Sequence, residues 1–309
     1  MAEGEAGIGV VAGDPPATGA GDSGRTAGPV AVRPSSDQVF EITAGSTHPL
    51  ALLRSIYNHR NLIVTLARKD FFVRYRRAAL GVLWAVGLPL IQAMVLTMIF
   101  TYVIHINLAG DFPRAVFMFT GILAYNYFST SIVSASTSIV DGSGLSSRIY
   151  FPRAVFPLET VIANAYAMFF SLIVLLVMAL GFGVNFGFHT LMLVPAVLLD
   201  ILFTASAALV LSALHVYFRD VRYIVQAVLI ALFYMTPIFY PLTFAGEKLR
   251  WVIMCNPMAG IVELFRYGIG GHDPQWATAT LISTAWTVVL LTLGIYLHSK
   301  WDRDFVDLL

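Results

Sequence analysis

Charge is what this 309-residue chain has least of: 12% of its residues are Asp, Glu, Lys or Arg, while 58% are hydrophobic. A soluble domain carries roughly 25% charged residues, and a water-soluble fold has no way to hide so much apolar surface. The solvent implied is a lipid bilayer. The formal net charge is +1, so there is no overall field of the kind that draws nucleic acid, and no such partner is expected. A single cysteine, Cys255, excludes an internal disulfide; alone among apolar neighbours, it reads as packing. Histidines 48, 59, 105, 189, 215, 272 and 298 are scattered without ligand spacing, so no metal is expected. There is no Gly-Lys-Ser/Thr phosphate loop, which argues against a nucleotide site or a bound cofactor in this chain. Asp200 is the main acid within the apolar runs. One buried carboxylate does not make a proton relay, which argues against a proton-coupled carrier.

What is present divides into three parts. Residues 1–46 are rich in Gly, Ala and Pro and nearly free of aromatics. Such a composition cannot offset its ordering entropy and reads as a disordered tail, with none of the features of a signal peptide. Residues 47–78 place Leu52, Leu53, Ile56, Tyr57, Ile63, Leu66, Phe71 and Phe72 at mostly helical spacing, with Arg54, Arg60, Arg68, Lys69, Arg74, Arg76 and Arg77 between them. That pattern predicts an amphipathic helix lying along the membrane interface; a helix packed on another protein is the alternative.

Residues 79–309 hold runs long enough to cross a bilayer, which takes roughly twenty apolar residues. Six are expected, near 81–106, 115–140, 156–183, 191–217, 223–241 and 277–298, giving an all-α integral membrane protein. Basic residues gather at alternate ends of these runs: Arg68 to Arg77, Arg148 and Arg153, Arg219 and Arg222, Lys300 and Arg303 on one side, and only Arg114, Lys248, Arg250 and Arg266 on the other. The first side is therefore expected to be cytoplasmic, with both termini there. Residues 251–271 resemble a seventh span, but Asn256, Pro257, Glu263 and Arg266 interrupt it. They are read as short helices dipping into the outer leaflet and returning, with Glu263 and Arg266 on one face as partners.

Five segments then become specific: RYRRAALGVLWAVGLPL at 74–90, RIYFPRAVFPLE at 148–159, YFRDVRYIVQ at 217–226, FYMTPIFYPL at 233–242 and NPMAGIVELFR at 256–266. In order and spacing they resemble the transmembrane subunits of bacterial ABC exporters for O-antigen, teichoic acid and cell-wall polysaccharide such as galactan. The resemblance covers roughly residues 60–300. It departs from the family where Leu88-Pro89 stands in place of a frequent Asn-Pro, and at Ala154, where a glutamate is frequent. It implies a plasma-membrane permease working as a homodimer, with each copy docked on a separate ATP-binding subunit that holds the MgATP. The cargo implied is a polysaccharide built on a polyprenyl diphosphate.

The residues can be read for the same work. Arg148, Ile149, Tyr150, Phe151, Pro152 and Arg153, with Arg219, Asp220 and Arg222, form two short loops suited to coupling with the ATPase: apolar aromatics as a docking plug, arginines at its rim. Simple topology is the competing explanation of the arginines. Arg74, Arg76 and Arg77 are placed to clamp a lipid diphosphate at the entrance. Tyr125, Asn126, Tyr127, Phe128, Phe233 and Tyr234 suit a sugar path, because polar-tipped rings serve both the apolar faces and the hydroxyl rims of sugars; helix packing or an interfacial aromatic belt is the alternative. Pro237, Pro241, Asn256, Pro257, Glu263 and Arg266 are candidates for an outer gate, the prolines bending the fifth span. An exporter of drugs or small lipids, or a membrane glycosyltransferase or independent flippase, remain the other functional classes.

Overall fold

The computed structural model describes residues 49–76, 78–103, 112–146, 151–271 and 275–301. The 1–46 tail lies outside them, as do Arg77, Arg148, Ile149 and Tyr150. Among the described residues the structure is helical, without strands: α1 Pro49–Asn58, α2 Arg60–Tyr75, α3 Leu83–Tyr102, α4 Arg114–Asp141, the short α5 Ser143–Ser146, α6 Val155–Gly181, α7 Leu193–Tyr217, α8 Val221–Met235, α9 Glu247–Met254, α10 Pro257–Gly270 and α11 Trp276–Trp301. Five helical segments, Leu83–Tyr102, Arg114–Asp141, Val155–Gly181, Phe188–Tyr217 and Trp276–Trp301, are long and apolar enough to cross a membrane.

The single interface helix expected over 47–78 is two helices, parted at His59. The residue leaves helical geometry at φ −91°, ψ 10°, and its ring Nδ1 lies 2.7 Å from the Ser55 carbonyl. Along α2 the buried residues are Ile63, Ala67 and Phe71, one per turn. Phe71 meets Tyr166 and Phe170 of α6 at ring separations of 5.5 and 6.1 Å, which fastens α2 along the bundle. Its opposite face leaves Val64, Phe72 and Val73 exposed.

The fifth span corrects the expectation. Residues 223–241 read as one helix bent by Pro237 and Pro241, but α8 stops at Met235 after 15 residues. A residue before proline is pushed out of the helical region, and Thr236 is extended at φ −79°, ψ 137°. Pro237 therefore ends the helix. At 1.5 Å per residue α8 is about 22 Å long, short of a hydrocarbon core about 30 Å thick. Non-helical backbone at membrane depth must be covered by protein, and Thr236 and Ile238 are fully buried.

α4 is the central helix, packed by α3, α6, α7, α8 and α10. Small residues set its close approaches. A Cβ added at Gly121 would lie 3.1 Å from the Ile238 backbone, so the extended stretch after α8 rests directly on α4. α10 lies as closely on α11, where a Cβ at Gly260 would run into the Ala279 carbonyl oxygen.

Candidate functional site

Residues singled out in the sequence gather in two places along α4. The first is a cleft of about 710 Å³ between α4 and α8, lined by Tyr125, Ser129, Thr130, Val133 and Ser134 from α4, by Gln226, Leu229, Ile230, Phe233 and Tyr234 from α8, and by Arg74 of α2. The geometry follows from helical spacing. Residues 125, 129 and 133 run down one face of α4 with 130 and 134 at its edge, and 226, 229, 230, 233 and 234 fall on one side of α8. Tyr125 forms the floor: its hydroxyl donates to the Leu229 carbonyl, tying the two helices together. Its ring meets Phe233 edge-on at 5.2 Å. Tyr234 is 65% exposed and also lines a second recess of about 330 Å³ with Tyr240, Phe244 and Leu249, so the aromatic surface continues past the end of α8.

Of the six sugar-path residues, the structure brings together Tyr125, Phe233 and Tyr234. The other three face elsewhere. Asn126 donates to the Gln92 side chain of α3 at 3.1 Å. Tyr127 is buried with its hydroxyl 3.4 Å from the Val161 carbonyl of α6. Phe128 stacks on Phe203 of α7 at 5.3 Å. Consecutive helical positions are about 100° apart, so a run of four aromatic or polar residues cannot line one surface. Ser134 and Gln226 were not singled out in the sequence, although the i, i+4 spacing from Thr130 and from Arg222 could have found them.

Arg74 bridges two helices. Its Nη1 donates to Asn164 Oδ1 of α6 at 2.7 Å, and its Nη2 to Asp70 Oδ2, one turn back on α2, at 2.8 Å. Arg76 is exposed.

The second place is a joint between the 236–238 stretch, α4 and α10. Asn256 caps α10, accepting from the Met258 amide at 3.0 Å, with Pro257 in the first turn. This Asn-Pro pair is a helix-start signature that the sequence carried openly. The Asn256 amide also donates to Thr236 Oγ1 at 2.9 Å. Arg266 pairs with Glu263 at 2.9 Å, both side chains nearly fully buried. It also donates to the Ile238 carbonyl at 2.7 Å and lies 3.5 Å over the Phe117 ring. Pro237 is buried and Pro241 half-buried. Pro237, Asn256, Pro257, Glu263 and Arg266 thus belong to one neighbourhood, in which α10 clasps the backbone that α8 leaves behind; Pro241 lies further along, at the start of the Leu242–Phe244 turn. Thr236 and Phe117 complete the neighbourhood and had no sequence signal of their own.

The two coupling loops divide. Arg219 and Asp220 are exposed between α7 and α8, and Arg222 is exposed in the first turn of α8. Phe151 is buried with Ile63, Val155, Phe156, Val210 and Leu297, its ring 5.2 Å from Phe156. Pro152 and Arg153 are buried too. As a docking plug, Phe151 is corrected: an apolar ring seated in the core of its own chain does not reach a pocket in another. Among the described residues no group of three or more His, Cys, Asp or Glu is placed to hold a metal ion.

The ABC-2 type transporter family matches residues 61–269 of this chain. A similar protein is the O-antigen export system permease protein RfbA of Myxococcus xanthus, 32% identical over 84% of this chain and 99% of its own length. The Klebsiella pneumoniae protein of the same name is 27% identical over 81% of this chain and 95% of its own. The polysialic acid transport protein KpsM of Escherichia coli is 25% identical over 76% of this chain and 92% of its own.

Proposed function

This chain belongs to the ABC-2 type transporter family, and from that premise we propose that it is the permease subunit of an ATP-driven exporter of a lipid-linked polysaccharide. The observation that carries the cargo class is the cleft, where Tyr125, Phe233 and Tyr234 stand beside Ser129, Thr130, Ser134 and Gln226. Ring faces stack on the apolar faces of sugars, and the hydroxyls and amide exchange hydrogen bonds with sugar hydroxyls, so a glycan can slide without a tight minimum at any one position. Similarity to permeases named for O-antigen and polysialic acid transport supports the same cargo.

In this reading ATP is bound and hydrolysed as MgATP by a separate subunit, and a second copy of this chain completes the path. α3 suits such a setting: Leu83, Leu88, Ile91, Met94 and Met98 are exposed along it, a surface that only lipid or another apolar helix covers well. The protein lies in the inner membrane with both termini cytoplasmic, α2 at the cytoplasmic end and α9 and α10 at the outer end. Arg219, Asp220 and Arg222, all exposed, are the contact for the ATPase, and Arg148, Ile149 and Tyr150 add to it. Phe151 anchors that first loop to the bundle. Arg74, Arg76 and Arg77 receive the lipid phosphate, and the joint around Arg266 closes the outer end.

The test is export in cells. Deleting the gene should abolish surface polysaccharide and accumulate lipid-linked glycan inside, and the Phe233→Ala/Tyr234→Ala double variant should insert normally without restoring export. Wild-type export by that variant overturns the cleft as the path.

A further inference from the structure

We propose that Asp200, with Thr204, Tyr127 and the Val161 carbonyl, forms a binding site for a small monovalent cation, Na+, between α4, α6 and α7. The proposal does not depend on the export reading. Asp200 lies about 10 Å along α7 and is fully buried. Its Oδ1 accepts from the Thr204 hydroxyl, one turn on, at 3.5 Å, and its Oδ2 has no partner. Tyr127 of α4, also buried, lies in Coulombic range of the carboxylate. The tyrosine hydroxyl reaches the Val161 carbonyl of α6 at 3.4 Å. Phe128 and Phe203, stacked at 5.3 Å, hold α4 against α7 next to Tyr127 and one turn past Asp200.

Left alone, this arrangement is short of both charge and contacts. A bare carboxylate inside a membrane bundle is costly unless something neutralises it. Among the described residues no Lys, Arg or His pairs with Asp200, whereas the buried Glu263 has Arg266 at 2.9 Å. Both hydrogen bonds at the site are longer than an O–H···O bond prefers, so neither hydroxyl is drawn tight against its acceptor. A proton on Oδ2 would remove the charge but create an O–H donor facing no acceptor. A water would supply hydrogen bonds and no charge. A metal cation supplies the charge and draws on the lone pairs of several oxygens at once. The donor set fixes its class: one carboxylate with hydroxyl and carbonyl oxygens suits a hard ion, not one that prefers nitrogen or sulfur. With one negative charge to meet, a monovalent ion leaves the site neutral, where a divalent one would strand a positive charge. Asp200 and Thr204 are both at 0% exposure, and so closed a site favours Na+ over the larger K+. Tyr127 and the cleft-lining Tyr125 are about 200° apart around α4, so the ion braces the central helix from behind the cleft.

The test follows thermal melting of the full-length chain in neutral-lipid nanodiscs at fixed pH and ionic strength, with NaCl exchanged for choline chloride or KCl, alongside binding of radiolabelled sodium. Wild type is expected to melt roughly 5 °C higher in Na+ at a hundredfold excess over its dissociation constant, less in K+, and to bind the label saturably. Asp200→Asn, which keeps the shape and removes the charge, should melt at one temperature in all three salts and bind no label. Tyr127→Phe and Thr204→Val each remove one oxygen, and each should move the Na+ midpoint to higher concentration by about tenfold, the scale of one lost hydrogen bond to a charged group. If Asp200→Asn fails to fold, these two variants carry the test, and an unchanged midpoint in both overturns the site. Equal melting of wild type in Na+ and choline, with no label bound, overturns it as well. A melting temperature that follows pH and ignores Na+ makes a proton the occupant, and the cation proposal falls. An equal rise in Na+ and K+ is an effect of salt in general and counts against it in the same way.

Discussion

Arg266 and Arg74 make the same kind of bond in opposite surroundings. Arg266–Glu263 is 2.9 Å long with side chains 5% and 2% exposed; Arg74–Asp70 is 2.8 Å long and about two-fifths exposed. Length says nothing of role, whereas burial and the remaining partners do. A buried pair is costly to break, because removing one partner strands a desolvated charge. It suits a joint that must keep its shape, and Arg266 adds the Ile238 carbonyl and the Phe117 face. An exposed pair is weak and exchangeable, which suits a surface that must trade one anion for another.

The contrast can be broken by experiment, beginning with the largest effect. Arg266→Met should destabilise the protein by roughly 3–5 kcal/mol, leaving Glu263 buried and alone, and should show as a large fall in melting temperature in detergent; Arg266→Met/Glu263→Met should recover part of it. A single variant as stable as wild type would place the joint with the exchangeable pair. Gly260→Ala comes next. Its new methyl would meet the Ala279 carbonyl, so α10 must move from α11 at a cost of about 1–3 kcal/mol, readable in the same melt. Asn256→Ala removes the cap of α10 and the bond to Thr236 together, about 1–2 kcal/mol. At the cleft Arg74→Gln, which loses the exposed pair with Asp70 and the bond to Asn164, should change stability by about 1 kcal/mol while export falls sharply. That separation of stability from transport, measured by melting and by surface glycan on the same variants, is the sharpest form of the comparison. Smallest in stability is Arg219→Ala/Arg222→Ala, exposed and expected within about 0.5 kcal/mol of wild type, yet with ATP hydrolysis no longer driving export.

The helices themselves were legible because apolar runs of twenty residues have few alternatives, and the ends of α4, α6 and α11 fall within a few residues of expectation. Which helix would be central was not. α3 is the more apolar of the first two, yet 6% of its apolar window is buried against 78% for α4. In lipid, apolarity does not select for burial; small and weakly polar residues that allow close approach do, as Gly121, Ala124, Ser131 and Ala135 show on α4. The split among Tyr125, Asn126, Tyr127 and Phe128 has a similar origin: composition marked the run, but facing is set by neighbours α3, α6, α7 and α8. Phe151 shows the limit again, since an aromatic next to arginines reads alike whether it fills another protein's pocket or its own chain's core.

Composition determined the solvent, and the long unbroken apolar runs determined the helical class: hydrocarbon admits only helices and closed barrels, and barrel strands alternate apolar with polar residues. The collinear loop motifs pointed to the family. The end of α8 was written locally as well, in Thr236-Pro237. What covers the backbone beyond it was settled by tertiary structure: Asn256 and Arg266, twenty and twenty-eight residues further along, supply the donors that Thr236 and Ile238 accept. The cleft is likewise a product of the fold. Arg74, Tyr125 and Phe233 are far apart in the chain, and only the packing of α2, α4 and α8 puts a cation and two rings on one surface.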